Sequence, residues 1–253
     1  MLKAIRRYFL RRKPFPSEWQ NCLSRNVPII NRLPESDRNE LCDLIKIFVA
    51  EKNFEGCAGF TITNDVKVTI AAQACLLLLH RRTDVYPALY SVLVYPNMFS
   101  VPDYESDETG IVSEDIEDRL GESWAHGAVV LSWEDVIKGA IKIDDGHNLV
   151  LHEFAHQLDD ENGLAGDGSV KLKKRSMYKP WAIILGREYT SLRRQVSQGK
   201  RTFLDSYGSE SPAEFFAVCT EFFFERPAEF LQKHPELYNE LKLFYQQDPA
   251  GWR

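Results

Sequence analysis

The chain has 253 residues, with 31 lysines and arginines against 37 aspartates and glutamates, so its net charge is −6 when the histidines are neutral. A hydrophobic fraction of 44% and an aromatic fraction of 12% are enough for a packed core, which excludes a disordered or fibrous chain. A net acidic chain is not built as a general nucleic-acid binder, so no direct nucleic-acid partner is expected.

The chain begins with a basic leader, residues 1–15, in which every charged side chain is a lysine or an arginine. No uninterrupted apolar segment follows, so the leader is not a secretory signal. Leu2, Ile5 and Phe9 share one helical face, and weak contact of the N-terminus with an anionic membrane surface or an acidic partner is one interpretation. A frayed, flexible tail is the simpler one.

The first segments after the leader predict a helix, a strand and a second helix. Residues 16–53 have apolar side chains at helical spacing. Phe60–Ile70 alternates partly between apolar and polar residues, which predicts a strand. The longest apolar run, Ile70–Leu79, predicts a buried helix, because a membrane span needs about 20 apolar residues.

Two later segments, Tyr90–Pro96 and Ala128–Trp133, are rich in strand-forming residues. An acidic segment, residues 103–118, lies between them and could bind calcium or form a solvated loop. The solvated loop is the simpler interpretation, because no glycine lies where a twelve-residue calcium loop needs its sharp turn.

Helical spacing dominates the remainder of the chain. The predicted helices span residues 134–141, 147–160, 180–198, 212–225 and 228–245. The glycine-rich Asn162–Ser169 and the basic Lys171–Arg175 predict an exposed loop between the second and third of these helices.

The order of the elements predicts an α+β fold, since strands precede a largely helical half. We expect residues 16–253 to form a single domain, with a lobe of helices and strands over about 16–133 and a helical catalytic half over about 134–253. The five cysteines lie far apart, form no CxxC pair and are odd in number. This pattern favours the reduced thiols of a cytoplasmic protein.

The most informative segment contains the sequence HEFAH, from His152 to His156, on a background of helical apolar spacing. Residues four apart lie on one face of a helix, so the two histidines can bind one Zn²⁺ ion. Glu153 follows the first histidine, where it can reach a metal-bound water. The alternative is a helix whose histidines bind nothing, which the apolar surroundings disfavour because buried imidazoles need partners.

A catalytic zinc needs a third protein ligand and an open position. The metzincin pattern is excluded, because its glycine and third histidine do not follow His156. Glu214 is the best candidate, although Ser211 and Glu214 also form a capping box. Glu221, two turns further along the same helical face, is the alternative ligand or a carboxylate that supports one. Val218 stands where thermolysin-like enzymes have an acid, so that subgroup fits poorly.

Two further residues have open roles. Asp159, three residues after His156, could accept the second N–H of that imidazole or lie at the helix end as a cap or surface residue. Tyr207 could donate a hydrogen bond to the oxyanion of a tetrahedral intermediate, or could simply pack at the entrance of the next helix.

Several motifs occur together and in order along the chain. They are VLVYP (Val92–Pro96), VLSW (Val130–Trp133), HEFAHQLD (His152–Asp159), YGSESPAEFFAVCTEFFF (Tyr207–Phe224) and FYQQDP (Phe244–Pro249). With these motifs the chain resembles the Mlc titration factor A family of bacterial zinc metallopeptidases, from about Trp19 to Pro249. That family is of the gluzincin type and is related in its catalytic core to anthrax lethal factor.

The resemblance implies a zincin-like core with a small mixed sheet, an HExxH helix and additional N-terminal helices. It implies one zinc ion per chain, bound by His152, His156 and Glu214, with Glu153 as catalytic base, and it favours Tyr207 as a catalytic residue. It also implies aminopeptidase-like activity on a peptide substrate. A further implied partner is a glucose-responsive transcriptional repressor of the Mlc type, whose binding influences a sugar phosphotransferase system.

Three hypotheses follow from the sequence. In the first, the protein is a zinc peptidase, Glu153 transfers the proton, and the Ala128–Trp133 strand is the edge on which an extended substrate docks. In the second, the zincin core is a scaffold and the protein is a regulatory binding module that sequesters a transcription factor. The third is a structural zinc with four ligands, for which His126 and His147 are the nearby histidines, though neither has compelling spacing.

Overall fold

The protein is described here from a computed structural model that covers residues 2–81, 84–97, 127–162, 168 and 170–252. The acidic segment 103–118, and with it the choice between a calcium loop and a solvated loop, lies outside the described residues, as does His126.

Helices make up most of the described chain. The α-helices are α1 (Leu2–Arg12), α2 (Ser17–Asn26), α3 (Glu35–Glu51), α4 (Asn64–Leu76), α5 (Trp133–Ile141), α6 (Leu149–Asp159), α7 (Tyr178–Ser197), α8 (Pro212–Glu225), α9 (Pro227–Lys233) and α10 (Pro235–Tyr245). The strands are β1 (Asn53–Gly56), β2 (Ser91–Tyr95) and β3 (Ala128–Ser132). Short 3-10 turns span Pro28–Arg32, Asp160–Asn162, Arg175–Met177, Ser206–Ser209 and Pro249–Gly251. The mixture of helices and strands agrees with the expected α+β class.

The three described strands form one sheet in the order β1–β2–β3, and both pairs are parallel. Asn53 is paired with Ser91, and Ser91 with Ala128. This corrects the expectation of a mixed sheet for the part of the chain that is described. Parallel neighbours need a long crossover connection, and α4 supplies the one between β1 and β2. β3 lies at one edge of this sheet.

The strand predicted over Phe60–Ile70 is wrong, because most of that segment belongs to α4. Val66, Val68 and Ile70 alternate as they would in a strand, but the side chain of Thr63 accepts a hydrogen bond from the Val66 N–H (3.3 Å) and starts a helix. Nearly every residue of α4 is buried, so its sequence lacks the polar face that marks a helix.

Two predicted helices are each divided at proline residues. The segment 16–53 forms α2, a 3-10 turn and α3, with Pro28 and Pro34 at the breaks, and its last residue, Asn53, is the first residue of β1. The segment 228–245 forms α9 and α10, which Pro235 separates. Proline lacks the N–H that a helix interior requires, so it starts a new helix at these points.

The predicted exposed loop before α7 is only partly exposed. Residues 163–167 and 169 lie outside the described chain, whereas Gly168, Val170 and Leu172 are buried. The lysines around Leu172 are exposed. This segment therefore alternates between the core and the solvent.

α6 lies in the middle of the core, packed against α4 on one side and α8 on the other. Its Phe154 side chain contacts the rings of Tyr86 (centroids 4.8 Å apart) and Phe48 (5.7 Å). The Tyr86 hydroxyl in turn donates to the Ala74 carbonyl of α4 (2.6 Å). These contacts fix the position of α6, which is the helix that contains the HEFAH sequence. None of the helices in the described ranges combines the length and apolar composition that a membrane span requires.

Candidate metal centre

α6 presents both motif histidines towards α8. The helix begins after Asn148, whose side-chain oxygen accepts a hydrogen bond from the Leu151 N–H (3.0 Å). Its apolar side chains are buried, so the rotation of the helix is fixed by the core. His152 and His156, one turn apart, then lie on the same side of the helix.

The start of α8 supplies the third residue. Ser211 caps this helix by accepting a hydrogen bond from the Glu214 N–H (3.1 Å), and Pro212 occupies the first helical position, as the sequence predicts. The Glu214 carboxylate turns towards the histidines of α6 instead of back to the cap. The capping role of its backbone and the metal-binding role of its side chain are therefore compatible.

Three donor groups converge between these helices. The Nε2 atom of His152 lies 2.9 Å from Oε2 of Glu214 and 3.2 Å from Nε2 of His156, and the latter lies 3.4 Å from Oε1 of Glu214. All three donors fall within 4.8 Å of one another. The structure thus brings together the three residues that the sequence predicts as ligands.

The donor set fits a zinc ion. Tetrahedral coordination with bonds of about 2.0–2.1 Å separates neighbouring ligand atoms by about 3.3 Å. The two histidine Nε2 atoms, 3.2 Å apart, are close to this separation, and each of them has one oxygen of Glu214 at 2.9 or 3.4 Å. Two imidazole nitrogens and one carboxylate form the His₂Glu set of many catalytic zinc sites, in which a fourth position stays open.

The charges at the site favour one positive charge among these groups. Burial would raise the pKa of Glu214, but hydrogen bonds from His152 and His156 outweigh it and lower that pKa to about 2. Burial would likewise lower the pKa of His152, yet its bonds to Glu214 and Glu221 raise it to about 10. For His156 burial prevails and the pKa is lowered. The carboxylates therefore favour one positive charge here, which a proton or a metal ion can supply.

Glu221 lies behind His152 and does not join the ligand group. Its Oε1 atom is 2.7 Å from Nδ1 of His152, and its Oε2 atom accepts a hydrogen bond from the Asn148 N–H. A carboxylate in this position fixes the tautomer of the imidazole and leaves Nε2 free to bind a metal. Of the two roles open for Glu221 in the sequence, the geometry favours support of a ligand.

Glu225, which the sequence analysis did not identify, holds the segment that leads into α6. Its carboxylate accepts hydrogen bonds from the backbone N–H groups of Gly146 (2.9 Å) and His147 (3.1 Å) and from Nδ2 of Asn148 (3.2 Å). Gly146 has a φ of +84°, and a Cβ atom there would lie 2.8 Å from the Phe222 ring. The sequence contains a partial signal, because an acid directly after Phe222–Phe224 must find partners when it is buried, but it does not show which partners.

Asp159 is fully buried at the end of α6. Its Oδ2 atom accepts a hydrogen bond from the Gly168 N–H (2.9 Å), which ties the returning chain to the end of the helix. This contact gives Asp159 an anchoring role beside the roles that the sequence left open.

A cavity of about 380 Å³ opens beside the ligand group, and Glu153 and Tyr207 line it. The ring of Tyr207 is centred 5.8 Å from that of His152, and the Tyr207 N–H donates to Asp205 (2.8 Å). Burial raises the pKa of Glu153 to about 8, although the charge of His152 opposes this shift. Asp135 and Asp205 make part of the wall acidic.

His147 lies in the wall of the same cavity, where its Nε2 atom is 3.8 Å from Oδ2 of Asp205. It does not belong to the ligand group found among the described residues. The donors that do converge number three, which is the arrangement of an open site.

Comparisons with known proteins agree with this chemistry. Residues 2–246 match the model of a family described as glucose-regulated metallo-peptidase M90. An uncharacterised protein of Synechocystis sp. is 39% identical over 238 residues, which are 94% of this chain and 86% of that protein. Proteins named Mlc titration factor A from Escherichia coli O1:K1 / APEC and from Escherichia coli strain 55989 / EAEC are each 31% identical over 233 residues, covering 91% of this chain and 86% of theirs.

Proposed function

Because the chain belongs to the M90 family of glucose-regulated metallopeptidases, we propose that it is a zinc-dependent peptidase of the gluzincin type. The observation that carries this proposal is the convergence of His152, His156 and Glu214 beside a cavity that also contains Glu153. A metallopeptidase needs these three elements together: a ligand set, an open side and an acid–base group.

In the proposed reaction, His152, His156 and Glu214 would hold a zinc ion, which when bound would supply the Lewis acidity that polarises a carbonyl and lowers the pKa of water. Glu153 accepts the proton of the attacking water and delivers it to the leaving amine. A carboxylate whose pKa is raised towards neutrality suits both transfers. The Tyr207 hydroxyl donates a hydrogen bond to the carbonyl oxygen as that atom gains negative charge.

We assign β3 as the strand beside which an extended peptide binds. β3 lies at the edge of the described sheet and packs against α6, so a peptide paired with it would run past the ligand group. The acids that line the cavity, which include Asp135 and Asp205, outnumber its one lysine, Lys138, so the cavity would attract a free α-amino group. This charge distribution supports aminopeptidase-like specificity.

The relatives named Mlc titration factor A favour a second role, in which this chain binds a transcriptional repressor of the Mlc type. This role needs no catalysis, because the folded surface alone would sequester the repressor. We infer a cytoplasmic location for both roles from the five free cysteines, since oxidising compartments favour disulfides.

The test is zinc analysis and peptide-library cleavage with the wild type and the Glu153→Gln variant. The wild type should contain one zinc ion per chain and cleave peptides from their N-terminus. Glu153→Gln should keep the zinc and lose activity by about 10²–10⁴-fold, the usual contribution of a general acid–base group. Glu134→Gln on the exposed side of α5 is the matched control and should retain full activity.

Retained turnover in Glu153→Gln would overturn the role of that residue, and a wild type without zinc or cleavage would overturn the peptidase proposal. Repressor binding is measured on the same two proteins. If binding survives in Glu153→Gln, then the second role is independent of catalysis.

A further inference from the structure

The basic leader forms α1, whose inner face is held against α3 and the loop that precedes β2. Arg7 makes a two-pronged contact with Glu51, through Nε (2.7 Å) and Nη2 (2.6 Å), and also pairs with Asp84. Lys3 pairs with Asp84 at 3.0 Å, one helical turn earlier. Leu10 packs against the core on the same side. These contacts fix which face of α1 points outward.

The end of α1 is also fixed. Nζ of Lys46 donates hydrogen bonds to the carbonyl oxygens of Arg11 (2.7 Å) and Lys13 (2.8 Å). A buried lysine therefore satisfies carbonyl groups that the last turn of a helix leaves without partners. The leader is thus an attached helix with one defined outer face.

That outer face is apolar. Leu2, Ile5, Tyr8 and Phe9 are 86%, 48%, 52% and 61% exposed. Their spacing places them opposite the Lys3 and Arg7 side of the helix. Four large apolar side chains on one short helix form a contiguous patch, and patches of this kind mark interaction surfaces.

The charge around the patch identifies its partner. The leader carries six cations and no acid, so the remaining chain has a net charge of (−6) − (+6) = −12. Lys3 and Arg7 are neutralised by Glu51 and Asp84. The other four cations have no ion pair with the residues that the structure describes; they are Arg6, Arg11, Arg12 and Lys13. An anionic surface would therefore attract the leader and repel the rest of the molecule.

We propose that the outer face of α1 docks on an anionic lipid surface. An eleven-residue helix is too short to span a membrane, but its exposed aromatic and aliphatic side chains can enter the boundary between headgroups and acyl chains while its cations bind the headgroups. Because the inner face is occupied by its contacts with α3, the helix lies in the plane of the membrane and orients the whole protein on it. This role goes beyond the peptidase function and does not depend on it.

The experiment is co-sedimentation of the full chain with vesicles of phosphatidylcholine alone or mixed with phosphatidylglycerol. Binding should be saturable on the mixed vesicles, at least tenfold weaker on the neutral ones, and reduced by high salt. Each basic residue near an anionic surface contributes about fivefold to the affinity, so Arg11→Gln/Arg12→Gln should lower it by roughly 25-fold. Ile5→Ser/Phe9→Ser should lower it at least tenfold.

Matched controls lie elsewhere on the surface. Lys200→Gln/Arg201→Gln removes two exposed cations, and Leu243→Ser removes an exposed leucine of α10. Both should bind mixed vesicles within twofold of the wild type. Circular dichroism and thermal unfolding confirm that each variant is folded.

Two results would overturn the proposal. One is equal binding of the wild type to neutral and anionic vesicles, or no loss in the α1 variants. The other is a dimer in analytical ultracentrifugation that Ile5→Ser/Phe9→Ser dissociates, because a second copy of the chain would then cover the patch.

Discussion

α4 and α6 are neighbouring helices of one core, and they differ in where their polar side chains find partners. On α4, Thr69 and Gln73 form hydrogen bonds with groups in the N-terminal region. Nδ2 of Asn26 donates to the Thr69 hydroxyl (3.0 Å), and Nε2 of Gln73 donates to the Thr69 carbonyl (3.1 Å). On α6, His152 bonds to Glu214 and Glu221, which lie 62 and 69 residues further along the chain.

The difference shows that burial of polar groups does not by itself indicate a functional site. The buried polar side chains of α4, Thr69 and Gln73, are uncharged, so they need no additional ion, although Oε1 of Gln73 has no hydrogen-bond partner among the described residues. Those of α6 and α8 bring two imidazoles and a carboxylate together in a group that could hold a metal ion. We therefore expect substitutions in α4 to change stability, and substitutions of the converging groups to change metal binding.

The largest effect should come from Glu214→Ala. Loss of a ligand should lower zinc affinity by more than about 100-fold, because even supporting residues usually contribute 10–100-fold, and activity should fall with it. Competition with a chelator of known affinity measures the change. Glu134→Ala provides the control, and an unchanged zinc affinity in Glu214→Ala would remove this residue from the ligand set.

Ile70→Ala tests the other side of the comparison. Ile70 is fully buried in α4, so the cavity should lower the free energy of unfolding by about 2–5 kcal/mol. Zinc affinity of the folded protein should stay within twofold. Urea titration of the zinc-free protein measures the first quantity, with Ile183→Ala on the exposed side of α7 as control. A parallel loss of zinc affinity would show that the two helices do not have separate roles.

Glu221→Gln should have an intermediate effect. Glutamine can still accept the hydrogen bond from the Asn148 N–H, but it lacks the charge that holds the His152 imidazole. We expect a 10–100-fold loss in zinc affinity or activity, which corresponds to about 1.4–2.7 kcal/mol. Glu240→Gln, at a buried acid of α10, is the control. A loss as large as that of Glu214→Ala would instead identify Glu221 as a ligand.

The smallest effect concerns α1, which is held against the rest of the protein by surface ion pairs. Burial would raise the pKa of Asp84, but hydrogen bonds from Lys3 and Arg7 outweigh it and lower the pKa from 3.8 to about 2. This contribution is present above pH 3.8 and is lost as the pH falls towards 2, because the carboxylate is then protonated. It should amount to less than about 1 kcal/mol, since Asp84 is partly exposed.

Hydrogen exchange of the α1 amides measures this loss. In the wild type, the protection of these amides should decrease over that pH range. In Asp84→Asn, protection should already be lower, and it should lack the decrease that protonation of Asp84 causes. Protection that stays constant down to pH 2 in the wild type would contradict the assignment.

The segments around the candidate metal centre were the most predictable from the sequence. α8 begins and ends where the pattern places it, because Ser211 and Pro212 specify a helix start locally. His152, His156 and Glu214 were identified from spacing and residue type. Their roles stay predictions, but their convergence is observed.

The rest could not be predicted for physical reasons. β1 has mostly exposed side chains, and only its pairing with β2 makes it a strand. α4 lacks a polar face because it is buried all round, so its alternating valines resemble a strand. The role of Glu225 depends on backbone groups of Gly146 and His147, which a sequence pattern does not reveal.

The separation of His152 and Glu214 along the chain determines how early during protein synthesis the candidate metal centre can form. Chains are made at about 5–20 residues per second, so the 62 residues between them take about 3–12 s to synthesise. The sheet imposes a similar delay, because parallel strands contain no local hairpin and pair only after a crossover has formed. A nascent chain with only α6 complete therefore has the two histidines of the proposed ligand set but not Glu214, and if the peptidase proposal holds, we expect hydrolysis to begin only after α8 has packed against α6.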